Sequence, residues 1–333
     1  MKIAIHPSGG FAGRWIVYCR EKSIPYKIVN CYDNTIIKQL EDCDALMWHF
    51  SHANPKDFLF AKQLLYAIQL TGKKVFPDFH TIWHFDDKTG QKYLLEAIHT
   101  PIAPTYVFYS KYEALDWLSA TTFPKVFKLR SGAGSCHVKL VKTKQKASKM
   151  IKKMFGKGFS QYDKWGNLKE RIYQYKKGKT TLFNVLKGVV RLIYPTDFAK
   201  IAGREKGYVY FQDFFPNKFD IRIVVVGNKA FGIKRMVRSN DFRASGSGCI
   251  IHRKSEIDER CVQIAFETND VLQSQSVAYD FIYDYDNNPL IIEISYGFSP
   301  EGYEDCEGYW DKNLNWHHGS FNPYGWMIDN LLE

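Results

Sequence analysis

Two periods of apolar and polar positions run along this chain, and the change from one to the other marks its elements. Over the first 85 residues, short apolar runs at Lys2–His6, Tyr26–Val29, Ala45–His49 and Lys74–Phe76 read as strands. Between them, residues 12–22, 34–42 and 57–71 carry apolar positions three and four apart, the spacing of helices with one buried face. Strands alternating with helices predict a small parallel sheet with helices on its faces. Near the other end, Asp280-Phe-Ile-Tyr-Asp-Tyr is followed by turn formers at Asp286, Asn287, Asn288 and Pro289, and then by Leu290-Ile-Ile-Glu293-Ile-Ser295. That pattern is a hairpin. Asp280 and Glu293 sit among apolar, β-branched neighbours, where an unpaired carboxylate is costly to bury. Brought together, they form a hard-cation site of the kind Mg²⁺ uses beside phosphates. The competing reading is an edge hairpin with both acids in water.

Two further segments carry chemistry. Phe123-Pro-Lys-Val-Phe-Lys128 reads as a strand ending in a lysine, followed by Leu-Arg-Ser131-Gly132-Ala-Gly134-Ser135 and another strand. Small residues let backbone N–H groups approach a phosphate, and the lysine adds a point charge. No Gly-Lys-Ser/Thr opens a helix here, so the loop is not a Walker P-loop, and a glycine-rich turn in a plain hairpin is the competing reading. Upstream, Asp87-Lys88-Thr-Gly-Gln-Lys92 opens a helix. The early loop Ser8-Gly9-Gly10-Phe-Ala-Gly13 lacks the register of a dinucleotide fingerprint, which argues against a nicotinamide site.

In chain order these segments resemble the ATP-grasp superfamily, most closely its RimK-type carboxylate–amine ligases. Asp87-Lys88-x-x-x-Lys92 matches the phosphate-binding lysine segment, and Lys128 with Ser131 to Ser135 the strand lysine and glycine-rich loop. Val209-Tyr-Phe-Gln212-Asp213-Phe214-Phe215 is similar to the adenine-binding linker. Asp220-Ile-Arg222, Lys234-Arg235 and Asp241-Phe-Arg243 follow the RimK order, and Asp280 and Glu293, thirteen residues apart, match the metal strand. The resemblance spans about residues 86 to 305. It departs in two places: Ser295 stands where the family has asparagine, and Ala244-Ser-Gly-Ser-Gly248 replaces the continuation of the Asp-Phe-Arg block.

The resemblance implies an α/β protein: a Rossmann-like domain over residues 1–85, then a two-lobed α+β ATP-grasp domain over 86–333. The small lobe is expected at about 100–208, with an insertion at about 150–205, and the large lobe at 209–333. It implies ATP as co-substrate, contacted by Lys88, Lys92, Lys128, Ser131, Gly132, Gly134, Ser135, Gln212, Asp213, Phe214, Phe215, Asp220 and Lys234. One or two Mg²⁺ ions are expected on Asp280, Glu293 and Ser295. Arg222, Arg235 and Arg243 are the candidate catalytic cations, since a planar guanidinium suits carboxylate or acylphosphate oxygens. Arg222 and Arg243 have a competing structural reading as ion-pair partners of Asp220 and Asp241. The activity implied is ADP-forming amide synthesis through an acylphosphate. The resemblance does not settle the substrates; the favoured reading joins an amine or amino acid to a carboxylated sugar or small metabolite, as in surface-polysaccharide synthesis. A kinase acting on a hydroxyl and a non-catalytic nucleotide-binding protein are the alternatives.

Composition adds a few constraints. A chain of 333 residues is long enough for a multi-lobed protein with a substantial core. No run of about 18 apolar residues occurs, so no membrane-spanning helix is expected. The start is too quickly interrupted for a secretory signal, and seven scattered cysteines with no Cys-x-x-Cys pair read as reduced thiols. A cytoplasmic protein is therefore expected. His49, His52, His80 and His84 fall at strand ends, where open sheets bind ligands; for any one of them a capping or core histidine is the safer reading, while as a group they are read as substrate contacts.

Charge changes the picture in one region. Residues 139–206 hold sixteen Lys and three Arg against four acids, a net +15, whereas the whole chain carries +11. Phe155, Phe159, Tyr162, Trp165, Tyr173 and Tyr175 are interleaved among these lysines. Such an arm suits nucleic acid, an anionic or lipid-linked glycan acceptor, or an acidic membrane surface, the last of which would make the protein peripheral to the inner membrane face; a solvated surface is the competing reading. No established nucleic-acid motif appears, so no specific nucleic-acid partner is expected. Self-association into a homodimer also stands among the expectations.

Overall fold

The computed structural model describes all residues except 53, 133–136, 177, 179, 195–202, 239–240, 245 and 247. Its N-terminal sheet is built from β1 (Ile3–Ile5), β2 (Tyr26–Ile28), β3 (Ala45–Met47) and β4 (Lys74–Phe76), all parallel, in the order β2-β1-β3-β4. β1 and β3 are entirely apolar and buried, as strands covered on both faces must be. α1 (Phe11–Glu21) packs on one face with Phe11, Trp15 and Cys19. α3 (Pro55–Leu70) packs on the other with Ala61, Leu65 and Ile68, and the short α2 (Ile36–Gln39) lies between β2 and β3. These elements coincide with the predicted strands and helices to within a few residues.

After the short α4 (Phe79–Ile82), α5 (Lys88–Ala97) leads into a second sheet. This sheet holds β5 (Thr105–Phe108), β6 (Lys125–Lys128), β7 (Lys139–Val141) and β10 (Val209–Asp213), all antiparallel, in the order β5-β10-β6-β7. α6 (Lys111–Ala120) and α7 (Lys144–Met154) cover one face around Phe127, Val209 and Phe211. The predicted lobe boundary at 208/209 is therefore displaced. β10 hydrogen-bonds to β5 and β6, so residues 209–213 belong to the smaller sheet.

A basic excursion leaves the small sheet between β8 (Phe159–Ser160) and β9 (Arg204–Glu205), which pair with each other. It carries α8 (Lys164–Lys176) and α9 (Leu182–Ile193), packed together. The remainder forms a seven-stranded sheet from β11 (Phe219–Val226), β12 (Lys229–Met236), β13 (Ile250–Ile251), β14 (Ser276–Tyr283), β15 (Pro289–Ser295), β16 (Gly308–Asp311) and β17 (Trp316–His318). α10 (Glu259–Leu272) covers one face with Cys261, Val262, Ala265 and Phe266. α11 (Pro323–Leu332) shares one core with α1, β1 and the other face of β11 and β12, through Met327, Ile328 and Leu331. The chain's end thus ties the first sheet to the last. Among the described residues, no helix is long and apolar enough to cross a membrane.

Candidate functional site

Strand alternation decides which side chains meet. In β11, Ile221, Ile223 and Val225 pack toward α10, so Asp220 and Arg222 point to the opposite side. The antiparallel register places Arg235 of β12 beside Asp220, Asp280 of β14 beside Arg222, and Glu293 of β15 beside Asp280. The side chains follow. Arg235 grips Asp220 through two N–H donors at 2.6 and 2.7 Å and reaches Asp280 Oδ1 at 3.1 Å. Arg222 holds both oxygens of Asp280, its Nη2 donating to Oδ2 at 2.6 Å. The competing reading of Arg222 as a partner of Asp220 is replaced by this grip on Asp280.

A register shift beyond Asp280 inserts one residue into β15, because Asp280 pairs with Glu293 while Phe281 pairs with Ile291. The extra residue, Ile292, lines the cleft beside Glu293, and its carbonyl accepts from Lys128 Nζ at 3.1 Å. Lys128 arrives from β6, where Val126 and Lys128 share the cleft side with Gln212 of β10. Gln212 is held by donating to Thr105 Oγ1 at 3.0 Å. Lys88, at the first turn of α5, meets Glu293 Oε1 at 3.0 Å and donates to the Gly132 carbonyl at 3.0 Å. Asp87 caps that helix by accepting from the Thr89 and Gly90 amides. Gly132 sits at φ 107°, a backbone conformation that favours glycine, and its N–H donates to Asp86 at 2.8 Å.

These groups surround a cavity of about 370 Å³ between the seven-stranded sheet and the β5-β10-β6-β7 sheet, closed on a third side by His49, His52 and Phe85. The size suits a small-molecule site. Burial and charge set its protonation. Burial pushes the Lys128 ammonium down to about 8, with the Lys88 charge adding to the effect and Glu293 opposing it. For Lys88, burial is outweighed by Glu293 and Asp86, so its affinity for the proton rises. Burial opposes ionisation of Glu293, but Lys88 and Lys128 outweigh it and hold the carboxyl low. At Asp280, burial is likewise overcome, here by Arg222 and Arg235, and the carboxyl lies well below the usual carboxylate range. Burial raises Asp86 to about 6 and lowers His49 to about 4. The imidazole facing the cleft at His49 is therefore neutral near pH 7.

Several sequence expectations change at this point. Lys92 lies one helical turn beyond Lys88, forms an ion pair with Glu96 four residues on, and does not line the cleft. Lys234 is on the other face of β12 from Arg235, bonded to Glu256 at 2.7 Å and lying over the Phe219 ring. Alternation along the strand sends it away from the cleft. Ser131 turns toward Glu205 and Gln161 rather than the cavity. Gly134 and Ser135 lie outside the described residues, as do parts of the 244–248 loop. Asp213, Phe214 and Phe215 line the cleft, and Asp213 is ion-paired to Lys125. Arg243 lines the cleft while bound to Asp241, Nη2 to Oδ2 at 2.6 Å, so its two competing readings coexist. Of the four histidines, His49 and His52 reach the cleft, His80 is exposed and His84 is fully buried away from it.

One residue had no signal in the sequence. Gln91 lines the cleft and pairs its side-chain amide with the edge strand β15, donating to the Ile294 carbonyl at 2.8 Å and accepting from the Ile294 N–H at 3.3 Å. It covers an edge that would otherwise leave backbone groups unpaired.

The donor set can be tested against the groups that the resemblance implies. An anionic phosphate fits: Lys128 is a buried cation whose ammonium, among the described residues, has a carbonyl dipole at hydrogen-bond distance and no carboxylate, and Lys88 stands beside it. Mg²⁺ fits in a one-carboxylate form, since Glu293 and Ser295 share the cleft side of β15 while Asp280 is committed to two guanidinium groups. Ser295 Oγ donates to the Gly297 carbonyl at 2.9 Å. Among the described residues, no group of three His, Cys, Asp or Glu could hold a metal by itself. Magnesium beside phosphates commonly needs only one or two carboxylates.

Comparison with known proteins agrees with this architecture. Residues 200–311 match the model of the RimK-like ATP-grasp domain. Among solved structures, the RimK-domain ATP-grasp protein of Sphaerobacter thermophilus is similar over 100% of both chains, at 13% identity and a TM-score of 0.56. D-alanine–D-alanine ligase of Bacillus anthracis complexed with ATP is similar over 100% of this chain and 96% of that one, at 13% identity and 0.55. N5-carboxyaminoimidazole ribonucleotide synthetase of Thermotoga maritima is similar over 99% and 75%, at 14% identity and 0.60. No curated protein sequence matches the chain. The fold is that of the two-lobed ATP-grasp enzymes.

Proposed function

We propose that this chain, with its ATP-grasp fold and its RimK-like domain over residues 200–311, is an ADP-forming carboxylate–amine ligase. The observation that carries the proposal is the meeting of Lys88, Lys128 and Glu293 at the mouth of two antiparallel sheets, with Arg222 one strand away. Buried cations at that point offer charge to phosphate oxygens without having to reorganise, which is how phosphoryl transfer is chiefly promoted. Gln212 to Phe215 form the wall for the base, and Lys88 and Lys128 hold the β- and γ-phosphates. Mg²⁺, carried by Glu293 with Ser295 beside it, would add charge neutralisation between phosphate groups.

In the proposed reaction a substrate carboxylate oxygen attacks the γ-phosphorus, the bond to the bridging oxygen breaks, and ADP leaves. The amine lone pair then attacks the acyl carbon, phosphate departs with its bonding electrons, and the proton shed by the nitrogen passes to the departing phosphate. Arg243 at the cleft rim and the neutral His49 and His52 are placed to hold the carboxylate and amine partners. A carboxylated sugar or small metabolite remains the proposed acid, supported by the modest cavity and by the mixed polar and aromatic wall of the N-terminal residues.

One observation favours a second reading, nucleotide binding without turnover: the full commitment of Asp280 to Arg222 and Arg235. An ADP-release screen of amino acids crossed with uronic acids and small carboxylates decides between them. Release that requires both an acid and an amine, with an amide in the product, supports the ligase. A phosphoester product would assign a kinase instead, and tight ATP binding without release for any pair would assign the non-catalytic reading.

A further inference from the structure

The arm formed by α8 and α9 has no part in the chemistry proposed above, yet it carries a highly ordered pattern. In α9, Val185, Gly188 and Leu192 turn toward α8, and Gly188 permits a close approach: a Cβ there would lie 2.7 Å from Arg171 Cδ and 3.1 Å from Leu168 Cδ1. The contact is locked at both ends. Lys164 Nζ donates to the Leu192 carbonyl at 3.0 Å, and Arg171 Nη1 to the Asn184 carbonyl at 3.0 Å. The two helices are therefore a built hairpin rather than a loose tail.

What α9 turns outward is apolar. Leu182, Phe183, Leu186, Val189, Val190 and Ile193 are all exposed, Phe183 at 69% and Ile193 at 74%. At 100° per residue they fall within about one-third of the helix circumference. A packed core would bury that stripe, and scattered surface apolar residues would not align. Lys187 and Arg191 border it on one side, and residues 164–193 hold eight basic residues against one acid. Trp165, at the start of α8, is 66% exposed.

We infer that this arm docks the protein onto an anionic phospholipid surface, with α9 lying in the plane of the interface. An apolar stripe flanked by Lys and Arg, with an exposed aromatic ring nearby, is the arrangement that places a helix about 5–10 Å into the headgroup boundary. A twelve-residue helix is too short to span a bilayer, so it lies on the surface. Charge complementarity selects the occupant. A second copy of the chain would bring an equally basic arm to the same face, and like charges would oppose the contact. The docked arm also stands next to the cleft: Arg238, which follows β12, donates to Glu170 of α8 at 2.6 Å, and Val237 lines the cavity. An acid or amine carried on a lipid would thereby be presented at the cleft rim. Docking itself does not rest on the ligase reading, since it needs no nucleotide.

The test is co-sedimentation of the full chain, without nucleotide, with vesicles of pure phosphatidylcholine and of phosphatidylcholine containing 40% phosphatidylglycerol. Binding to the anionic vesicles is expected, and it should weaken as salt shortens the Debye length. Lys187→Gln with Arg191→Gln should reduce partitioning about fivefold for each charge removed, roughly 25-fold together. Leu186→Gln, Val190→Gln and Ile193→Gln together should reduce it by at least an order of magnitude at unchanged melting temperature. Absence of binding at low salt overturns the inference, as does equal binding to both vesicle types. Loss with the charge variant alone, while the apolar variant binds normally, would mean adsorption by charge and would also overturn it. A dimer in sedimentation velocity that the apolar variant dissociates would assign the face to a second copy instead.

Discussion

Lys128 offers the sharpest test of the nucleotide site, because its ammonium is buried and, among the described residues, has a carbonyl and not a carboxylate at hydrogen-bond distance. Its pKa is pushed down to about 8 from an ordinary 10.5. Bound phosphate would restore the charged form, so binding takes up a proton between those two values. The sign follows: affinity for ATP falls as pH rises through 8. Free Lys128 is about nine-tenths protonated at pH 7 and about one-tenth at pH 9, so ATP binding should weaken roughly tenfold over that interval. Unfolding does not imitate this effect. The unfolded chain keeps its proton up to about 10.5, so this group makes the unliganded fold more stable, not less, as pH rises from 8. Lys128→Gln should lose a charge-assisted contact of about 1.5–3 kcal/mol, weakening ATP by roughly 10- to 150-fold, and should flatten the pH profile. Titration calorimetry from pH 7 to 9 reads both effects. A wild-type affinity that is constant within twofold across that range, or a glutamine variant that keeps the slope, would refute the assignment of Lys128 to phosphate.

Two further outcomes follow from the ion pairs. Glu293→Gln should lower turnover by orders of magnitude if the residue carries Mg²⁺, and, because Lys88 is only 4% exposed and loses its carboxylate, should also cost about 2 kcal/mol of stability in urea melts. Arg235→Met removes the bidentate partner of Asp220 and a second donor to Asp280, and should destabilise the fold by about 3–5 kcal/mol; a loss below about 1 kcal/mol would show that the two acids are satisfied without it.

The parts of this protein that a linear pattern could reveal are those where local periodicity and tertiary burial agree. β1 and β3 are short, wholly apolar and central, so a run of apolar letters was enough to locate them. The hairpin of Asp280 and Glu293 was legible for the same reason, with turn formers between two apolar strands. β10 was placed in the wrong lobe because its letters specify a strand but not its neighbours; only the hydrogen bonds to β5 and β6 do that. Lys88 and Lys92 are four residues apart on one helix face and look equivalent in sequence. Glu96, one turn further on, captures Lys92 and leaves Lys88 to the cleft. Lys234 and Arg235 are neighbours, and strand alternation separates them onto opposite faces. Gln91 was invisible because nothing in a helical sequence distinguishes a polar residue facing water from one that pairs with a distant strand edge.

The arrangement at Asp280 goes furthest beyond what the motif implies, and it predicts an order of binding. The resemblance makes this carboxylate a metal ligand, but Arg222 occupies both of its oxygens and Arg235 reaches one of them. With two guanidinium donors on Oδ1 and one on Oδ2, this carboxylate keeps one of its roughly four lone-pair sites, on Oδ2, and the two adjacent guanidinium charges oppose a divalent cation there. Bound nucleotide phosphates would change the balance by competing with Asp280 for Arg222, which would leave Oδ2 without a guanidinium donor while Arg235 still reaches Oδ1. Metal binding should therefore be weak alone and strong only with ATP present, with Glu293 as the first protein ligand. Removing Arg222 tests the order directly. Arg222→Met should let Asp280 take up Mg²⁺ without nucleotide, raising metal affinity in calorimetric titrations of the unliganded protein, while ATP affinity falls for want of the displaced guanidinium. Unchanged metal affinity in that variant, with its fold intact, would mean that Arg222 does not guard Asp280 and that the two-arginine grip is purely structural.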